Sequence, residues 1–190
     1  MKQLINVVLL IFFSFSISSA IQAQNAGKFK TQTKVALPVK DFGKVYDVPF
    51  ATDRPDASMQ YKIVFEASVE AFDSSVIYPH LEHLARLYNL HAYGGVPQKN
   101  LDEVLVVGDN GIATEMTNEA YKKRYGRDNP NLKILSQLKQ AGIKLNGCAQ
   151  ATLKHHIDPA TEVNPDKTLV FSRLTTISML QFRGYAYFKF

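Results

Sequence analysis

The residue with the clearest chemical potential is Cys148, the only cysteine of the chain. It precedes a predicted helix, where unpaired backbone N–H groups and the helix dipole favour a thiolate, the sulfur species that attacks. Three basic residues, Lys144, Lys154 and Arg173, would add positive potential around it. Free cysteines are also among the most buried residue types, so an inert structural role stays open beside the reactive one.

Histidines give two further hypotheses, a cysteine hydrolase and a metal site. His155 or His156 with Asp158 could complete a triad with the cysteine, but closeness in sequence does not establish triad geometry. His80 and His83 share one face of a predicted helix, yet neither histidine pair has a convincing third and fourth ligand. We therefore predict no metal site. A lone cysteine also cannot run a self-contained dithiol cycle.

Length and composition fit one ordinary domain. The chain has 190 residues, of which 46% are hydrophobic and 21% charged, enough for a core that needs no disulfides. The net charge is +5, but the basic residues are scattered apart from the run Lys122–Arg124, so nucleic-acid binding is not expected. The loop Gly108–Gly111 is neither a Walker loop nor a dinucleotide fingerprint, and no cofactor is predicted.

The first 23 residues have the layout of a secretory signal peptide. Lys2 precedes an apolar run, Val7–Ile17, and small and polar residues follow up to Ala23, where we expect cleavage. The run is too short for a membrane span of about 20 residues, so an exported, periplasmic or secreted protein without a stable span is predicted; a retained amphipathic anchor is the alternative. Residues 24–58 carry three prolines and are predicted to form an extended arm, with a short edge strand at Val35–Val39.

The remainder, 59–190, alternates strand and helix patterns. The predicted strands are Tyr61–Ala67, Leu101–Val107, Ile143–Asn146, Thr168–Phe171 and Tyr185–Phe190. The predicted helices are Pro79–Ala92, one capped by Thr117 that runs to Tyr125 and stops at Gly126, one that begins at Asn129–Pro130, Gln150–His156, and one capped by Ser172 with Leu174, Ile177 and Leu180 facing inward. This order predicts a three-layer α/β/α domain with a largely parallel sheet of about five strands.

In such a sheet, the loops after the carboxyl ends of the strands form the ligand crevice. Those loops hold Cys148, the candidate catalytic residue. The candidate substrate-binding residues that they contribute are Gly108, Asp109, Asn110, Ala149, Gln150 and Arg173.

Several segments resemble the DsrE/DsrF-like family: Asn89–Ala92, Gly95–Pro97, Asn129–Leu132, Ala141–Ile143, Cys148–Gln150, Leu169–Ser172 and Gly184–Ala186. The similarity covers about Tyr61–Phe190, and its most specific part is the helix, Ala-Gly turn, strand and cysteine. The chain departs from the family in its Val107–Gly111 loop, where a His-Gly-Gly type is common, and in lacking the Arg-Gly pair that often follows the cysteine.

This resemblance implies an α/β/α domain that assembles into trimers or hexamers. It also implies, as in the sulfur-carrying members, a sulfur carrier or sulfurtransferase that holds sulfane sulfur as a persulfide on Cys148. Its partners would be a sulfur donor or acceptor, either a protein or a small sulfur compound. The alternative is a non-enzymatic oligomeric binding or assembly subunit with a structural cysteine.

Overall fold

The computed structural model describes residues 36–69 and 71–190. They divide into two units, of which the smaller contains 46–51 and the larger contains every helix and strand. The predicted signal peptide lies outside the described residues. The described part of the predicted arm contains no helix or strand, so the edge strand expected at Val35–Val39 is wrong for residues 36–39.

Asn89 explains why this segment does not form a strand. The N–H of Val39 donates to Oδ1 of Asn89 at 3.0 Å, and Nδ2 of Asn89 donates to the carbonyl oxygens of Val39 at 2.9 Å and of Phe42 and Gly43 at 3.0 Å. One buried amide side chain therefore satisfies the backbone groups that a neighbouring strand would otherwise bind.

Five parallel strands form one sheet in the order β4-β3-β2-β1-β5. They are β1 (Tyr61–Val69), β2 (Leu101–Asp109), β3 (Lys144–Cys148), β4 (Thr168–Val170) and β5 (Ala186–Lys189). The carboxyl ends of β1 and β2 are level, because Val69 lies opposite Asp109. The carboxyl ends of β3 and β4 are also level, because Cys148 lies opposite Val170. The predicted α/β fold with a parallel sheet is confirmed.

The described residues also form five α-helices: α1 (Pro79–Tyr93), α2 (Asn118–Tyr125), α3 (Leu132–Gln140), α4 (Ala149–Lys154) and α5 (Arg173–Phe182). The predicted caps of α2 and α5 are confirmed, since Thr117 accepts from the N–H of Ala120 and Ser172 accepts from the N–H of Leu174, both at 3.2 Å. Among the described residues, no helix is both long and apolar enough to span a bilayer.

The start of α3 differs from the prediction. The helix begins at Leu132 rather than at Asn129–Pro130. The side chain of Asn129 instead donates to the carbonyl oxygens of Thr114 and Met116, both at 3.0 Å. Asn129 therefore binds the backbone of a turn that lies more than ten residues earlier in the chain. Its local sequence predicts only a helix start, because it does not reveal such a distant contact.

The core lies mainly on the face of the sheet that α1 and α3 cover, where Phe65, Leu105 and Leu138 are fully buried. The opposite face has a smaller core, in which Ile177 and Leu180 of α5 pack on valines of β1 and β2. Leu174 was expected to join them but is 68% exposed. At about 100° per residue, it lies roughly 110° from the centre of the face that Thr176, Ile177 and Leu180 form.

A buried carboxyl group lies near the amino end of β2. The side chain of Glu103 is 0% exposed, and His91 Nδ1 lies 3.6 Å from its Oε1. Neither oxygen of Glu103 accepts a hydrogen bond. Burial raises the pKa of Glu103 above its ordinary value of 4.5, although His91 partly opposes the shift.

Replacing Glu103 by Gln should remove one source of the pH dependence of the free energy of unfolding. Because folding raises the pKa of Glu103, the folded chain holds the proton more tightly, and this contribution to stability is present below about pH 4.5 and lost as the pH rises through the folded-state pKa. Urea unfolding from pH 4 to 8 should show wild-type stability declining relative to Glu103→Gln. The exposed Glu119→Gln is the control, and a wild-type-to-variant difference that does not change with pH would contradict the prediction.

Candidate functional site

Cys148 is the last residue of β3, and α4 begins at the next residue. Its Sγ accepts a hydrogen bond from the backbone N–H of Arg173, the first residue of α5, at 3.2 Å. Its carbonyl oxygen accepts from the hydroxyl of Thr152 at 3.0 Å. The sulfur therefore lies at the carboxyl edge of the sheet, as predicted, and faces an N–H donor at the start of a helix.

The cysteine is enclosed. Cys148 is 5% exposed and belongs to an apolar cluster, here called the cysteine cluster, whose other buried members are Ile112, Ala113, Met116, Ala120, Tyr121, Ala151 and Ile157. A reagent that reaches the sulfur must be small or must displace part of this cluster. This burial is what the structural role of a free cysteine predicts, whereas the reactive role predicts a sulfur exposed at the end of its strand.

A charged cluster lies beside it, centred on Glu66 of β1. The Glu66 carboxylate accepts from Ser68 and from Nη1 of Arg173, and also from the hydroxyl of Tyr187 at 2.6 Å, while Lys189 Nζ lies 3.1 Å away. Burial by itself raises the pKa of Glu66, but these hydrogen bonds and the charge of Arg173 outweigh it and lower the pKa to about 2. Glu66 is therefore ionised near neutral pH.

Arg173 connects this cluster to the end of β2. Its Nη2 lies 3.2 Å from Oδ2 of Asp109, and Nη1 also donates to the hydroxyl oxygen of Ser68 at 3.1 Å. Asp109 has a φ of 48° and a ψ of −139°, a conformation that a residue with a side chain rarely adopts. One residue thus presents its backbone N–H to the sulfur and its guanidinium to two carboxylates.

Gly108 makes room for this guanidinium. A Cβ at position 108 would lie 2.6 Å from Cδ and 2.7 Å from Nε of Arg173. We expect Gly108→Ala to displace Arg173 from Glu66 and to lower the free energy of unfolding by about 2 kcal/mol, since hydrogen bonds to charged groups are lost. In a chain that already carries Arg173→Met, the same change should cost less than half as much. Equal costs in the two backgrounds, measured by urea unfolding, would contradict this contact.

The candidate substrate-binding residues fall into three groups. Gly108, Asp109 and Arg173 meet beside Cys148. Asn110 begins a 3-10 turn, Asn110–Glu115, and lines a neighbouring pocket rather than this cluster. Ala149 and Gln150 open α4 directly after the cysteine, and Gln150 is exposed.

A second buried ion pair, not predicted from the sequence, lies against Gly147, the residue before the cysteine. Lys167 Nζ is 3.2 Å from Oε1 of Glu115, with the two side chains 0% and 1% exposed. Glu115 Oε2 lies over Gly147, where a Cβ would be only 2.6 Å away. Burial lowers the pKa of Lys167, which Glu115 partly opposes. The available signal was Gly147 itself, because glycine inside a strand marks a close approach.

The histidine hypotheses gain nothing from the geometry. Asp158 accepts hydrogen bonds from the N–H of Ala160 at 2.9 Å and the hydroxyl of Thr161 at 2.7 Å. Its carboxylate therefore binds the loop that contains it rather than a histidine. The rings of His80 and His83 lie 6.4 Å apart. Within the described residues, no three His, Cys, Asp or Glu side chains are grouped so that they could hold a metal ion.

The fold and the site together define an α/β domain with a buried cysteine at the carboxyl edge of an all-parallel sheet. No family model matches the chain, and no curated protein matches it. A solved structure of a protein of unknown function from Methanobacterium thermoautotrophicum is similar at 16% identity, covering 68% of this chain and 98% of that one, with a TM-score of 0.49.

Proposed function

We propose that this protein is a sulfur carrier that holds sulfane sulfur as a persulfide on Cys148. The observation that carries the proposal is the 3.2 Å hydrogen bond from the N–H of Arg173 to Sγ at the start of α5. A fixed backbone donor at a helix N-terminus stabilises negative charge on sulfur, which both the attacking thiolate and the loaded persulfide carry. The resemblance to the DsrE/DsrF-like family supports the same function.

The loading step is a sulfur transfer without net oxidation. The Cys148 thiolate attacks the outer sulfur of a persulfide or polysulfide donor and forms a new S–S bond. The donor's own S–S bond breaks, and its remaining sulfur leaves with the electron pair as a thiolate or a shorter polysulfide. An acceptor thiolate then attacks the outer sulfur of the loaded protein, and Cys148 leaves as the thiolate.

Intact-protein mass spectrometry tests the loading step. Because the cysteine is enclosed, the donor should be small, and inorganic polysulfide at near-neutral pH meets that requirement. We expect an increase of about 32 Da, one sulfur atom, in the wild type and none in Cys148→Ser. An unchanged wild-type mass, with the protein folded, would contradict the proposal.

A second candidate is the oligomeric assembly subunit, which the exposed apolar surface of α5 favours. Leu174 and Phe182 on α5 and Phe171, which lies two residues before it, are 68%, 91% and 76% exposed, and exposed apolar side chains of this kind mark contact surfaces when they are grouped. We propose that a second copy of the chain covers this surface. Among the described residues that line the groove along α5, only Arg183 is charged, so a symmetric contact would bring apolar side chains together with little charge repulsion.

Sedimentation analysis tests whether assembly depends on this surface of α5 rather than on any exposed apolar residue. We expect the wild type to form an oligomer, Phe182→Asp to dissociate to monomers, and Leu153→Asp, at a residue 60% exposed on α4, to assemble normally. A monomeric wild type, or equal assembly of the two variants, would contradict the proposed interface. Either result leaves the sulfur-loading test unaffected.

We also propose that the protein is exported and cleaved after Ala23. The support is the order of Lys2, the apolar run Val7–Ile17 and the small residues that follow. N-terminal sequencing of the protein recovered from its source cells should begin at Gln24, and an N-terminus at Met1 would contradict export by cleavage.

A further inference from the structure

A separate pocket opens at the carboxyl edge of the sheet, beside the 3-10 turn that follows β2. It has a volume of about 250 Å³, and its apolar wall includes Phe72, Tyr125, Ile112 and Ile157. The ring centroids of Phe72 and Tyr125 are 6.1 Å apart and the rings are tilted by 55°, so two aromatic side chains line the same wall. Ile112 and Ile157 also belong to the cysteine cluster. The pocket therefore adjoins the packing around Cys148 without including the sulfur among its lining residues.

Two nitrogen-bearing side chains give this pocket a polar side. Arg124 is exposed, and its guanidinium donates through Nη2 to the carbonyl oxygens of His155 at 2.9 Å and His156 at 3.0 Å, which restrains it beside the pocket. Within the described residues, no carboxylate lies within ion-pair distance of Arg124. Its positive charge is therefore held at the pocket without a neutralising protein partner.

His155 supplies the second polar group. Its Nε2 is buried and has no hydrogen-bond partner, which is uncommon for a buried ring nitrogen. Burial, together with the charges of Lys154 and Arg124, lowers the pKa of His155, so the ring is neutral at pH 7. A ligand group in the pocket would satisfy this nitrogen.

The backbone on both sides of the pocket is in an unusual conformation. Asp109 and His156, with φ values of 48° and 53°, are the two non-glycine residues with positive φ in the described chain. They adjoin the pocket residues Asn110 and His155. Residues held in such conformations cluster at ligand sites, where the surrounding structure maintains them.

We propose that this pocket binds a small organic anion, whose carboxylate or sulfonate lies against Arg124 and whose apolar body lies on Phe72 and Tyr125. The volume is below the roughly 300–1,000 Å³ of pockets for drug-sized molecules, which limits the ligand to a small one. Nη2 of Arg124 is already bound to two carbonyl oxygens, so the anion would be held by the charge of the guanidinium and by single N–H donors from Nη1 or Nε. The site needs no chemistry at Cys148 and goes beyond the proposed sulfur carrier.

Titration with benzenesulfonate, followed by two-dimensional amide NMR, tests the site in the wild type. We expect saturable binding, with shifts concentrated at Ile112, Tyr125 and His155, and at least tenfold weaker binding of the neutral benzenesulfonamide. No saturable binding of the sulfonate at millimolar concentration, or equal affinity for both compounds, would overturn the proposal. Both measurements use the unaltered chain, so neither depends on a variant folding.

Variants then test whether the positive charge of Arg124 binds the anion. Arg124→Gln should weaken benzenesulfonate binding at least tenfold, and Arg124→Lys should weaken it less. Arg127→Gln, which removes the same charge three residues away and outside the pocket lining, should leave the affinity unchanged. Equal weakening by Arg124→Gln and Arg127→Gln would overturn the assignment. Cys148→Ser should bind benzenesulfonate normally, which separates this site from the sulfur-loading function.

Discussion

Replacing Glu115 by Gln is expected to lower the free energy of unfolding by about 3–5 kcal/mol, the usual cost of removing one partner of a buried ion pair. The variant leaves Lys167, whose side chain is 0% exposed, without its counter-charge. Because burial already lowers the pKa of Lys167, the unfolded chain binds the proton more tightly than the folded one. The variant should therefore regain stability as the pH rises towards the ordinary lysine pKa of 10.5.

Two controls make this prediction specific. Adding Lys167→Met to Glu115→Gln removes the unpaired charge and should restore most of the lost stability, as measured by urea unfolding at pH 7. Glu119→Gln removes the same charge from an exposed position and should change stability by less than about 0.5 kcal/mol. A cost below 1 kcal/mol for Glu115→Gln, or a double variant weaker than the single one, would contradict the role of this pair.

The second large effect is expected from Arg173→Met, which removes the guanidinium between Glu66 and Asp109. At pH 7 the free energy of unfolding should fall by about 3 kcal/mol, because a nearly buried carboxylate loses one of its two cations and keeps only Lys189. Glu66 has a pKa of about 2 in the fold, against an ordinary 4.5, so its stabilising contribution is present above pH 4.5 and lost as the pH falls towards 2. The difference between wild type and variant should shrink over the same range.

Arg127→Met is the matched control, since it removes the same group from an exposed position outside the Glu66 cluster and outside the groove along α5, and it should change stability little at any pH. A difference between wild type and Arg173→Met that stays constant from pH 7 to pH 2 would contradict the electrostatic explanation. Because the backbone N–H of residue 173 donates to Cys148 Sγ, the variant should still load sulfur. If the variant no longer loads sulfur, the guanidinium of Arg173 binds the sulfur donor, which is the substrate-binding role that the sequence predicts for this residue.

Local patterns predicted the fold well because they act through neighbouring residues. Thr117, Gly126 and Ser172 marked helix ends through capping and left-handed backbone, which depend on a few adjacent positions. The strand-helix alternation was sufficient to predict a parallel sheet and to place Cys148 at its carboxyl edge.

The errors and omissions involve contacts between distant segments. Asn129 has the local context of a helix start, but its amide binds carbonyls that lie more than ten residues earlier in the chain. Glu115 and Lys167 are far apart in sequence, and neither occurs in a pattern that predicts burial. The burial of Cys148 likewise depends on a turn and two helices that pack over it, which spacing alone does not reveal.

The most direct measurement follows one sulfur atom through a complete cycle. Wild-type protein is loaded with polysulfide, freed of excess donor, and digested under conditions that preserve persulfides. Peptide mass spectrometry should then locate about 32 Da on the peptide that contains Cys148, and a small acceptor thiol should remove it and appear as its own persulfide. Sulfur that never reaches this peptide, or that the acceptor cannot remove from it, would contradict a carrier function.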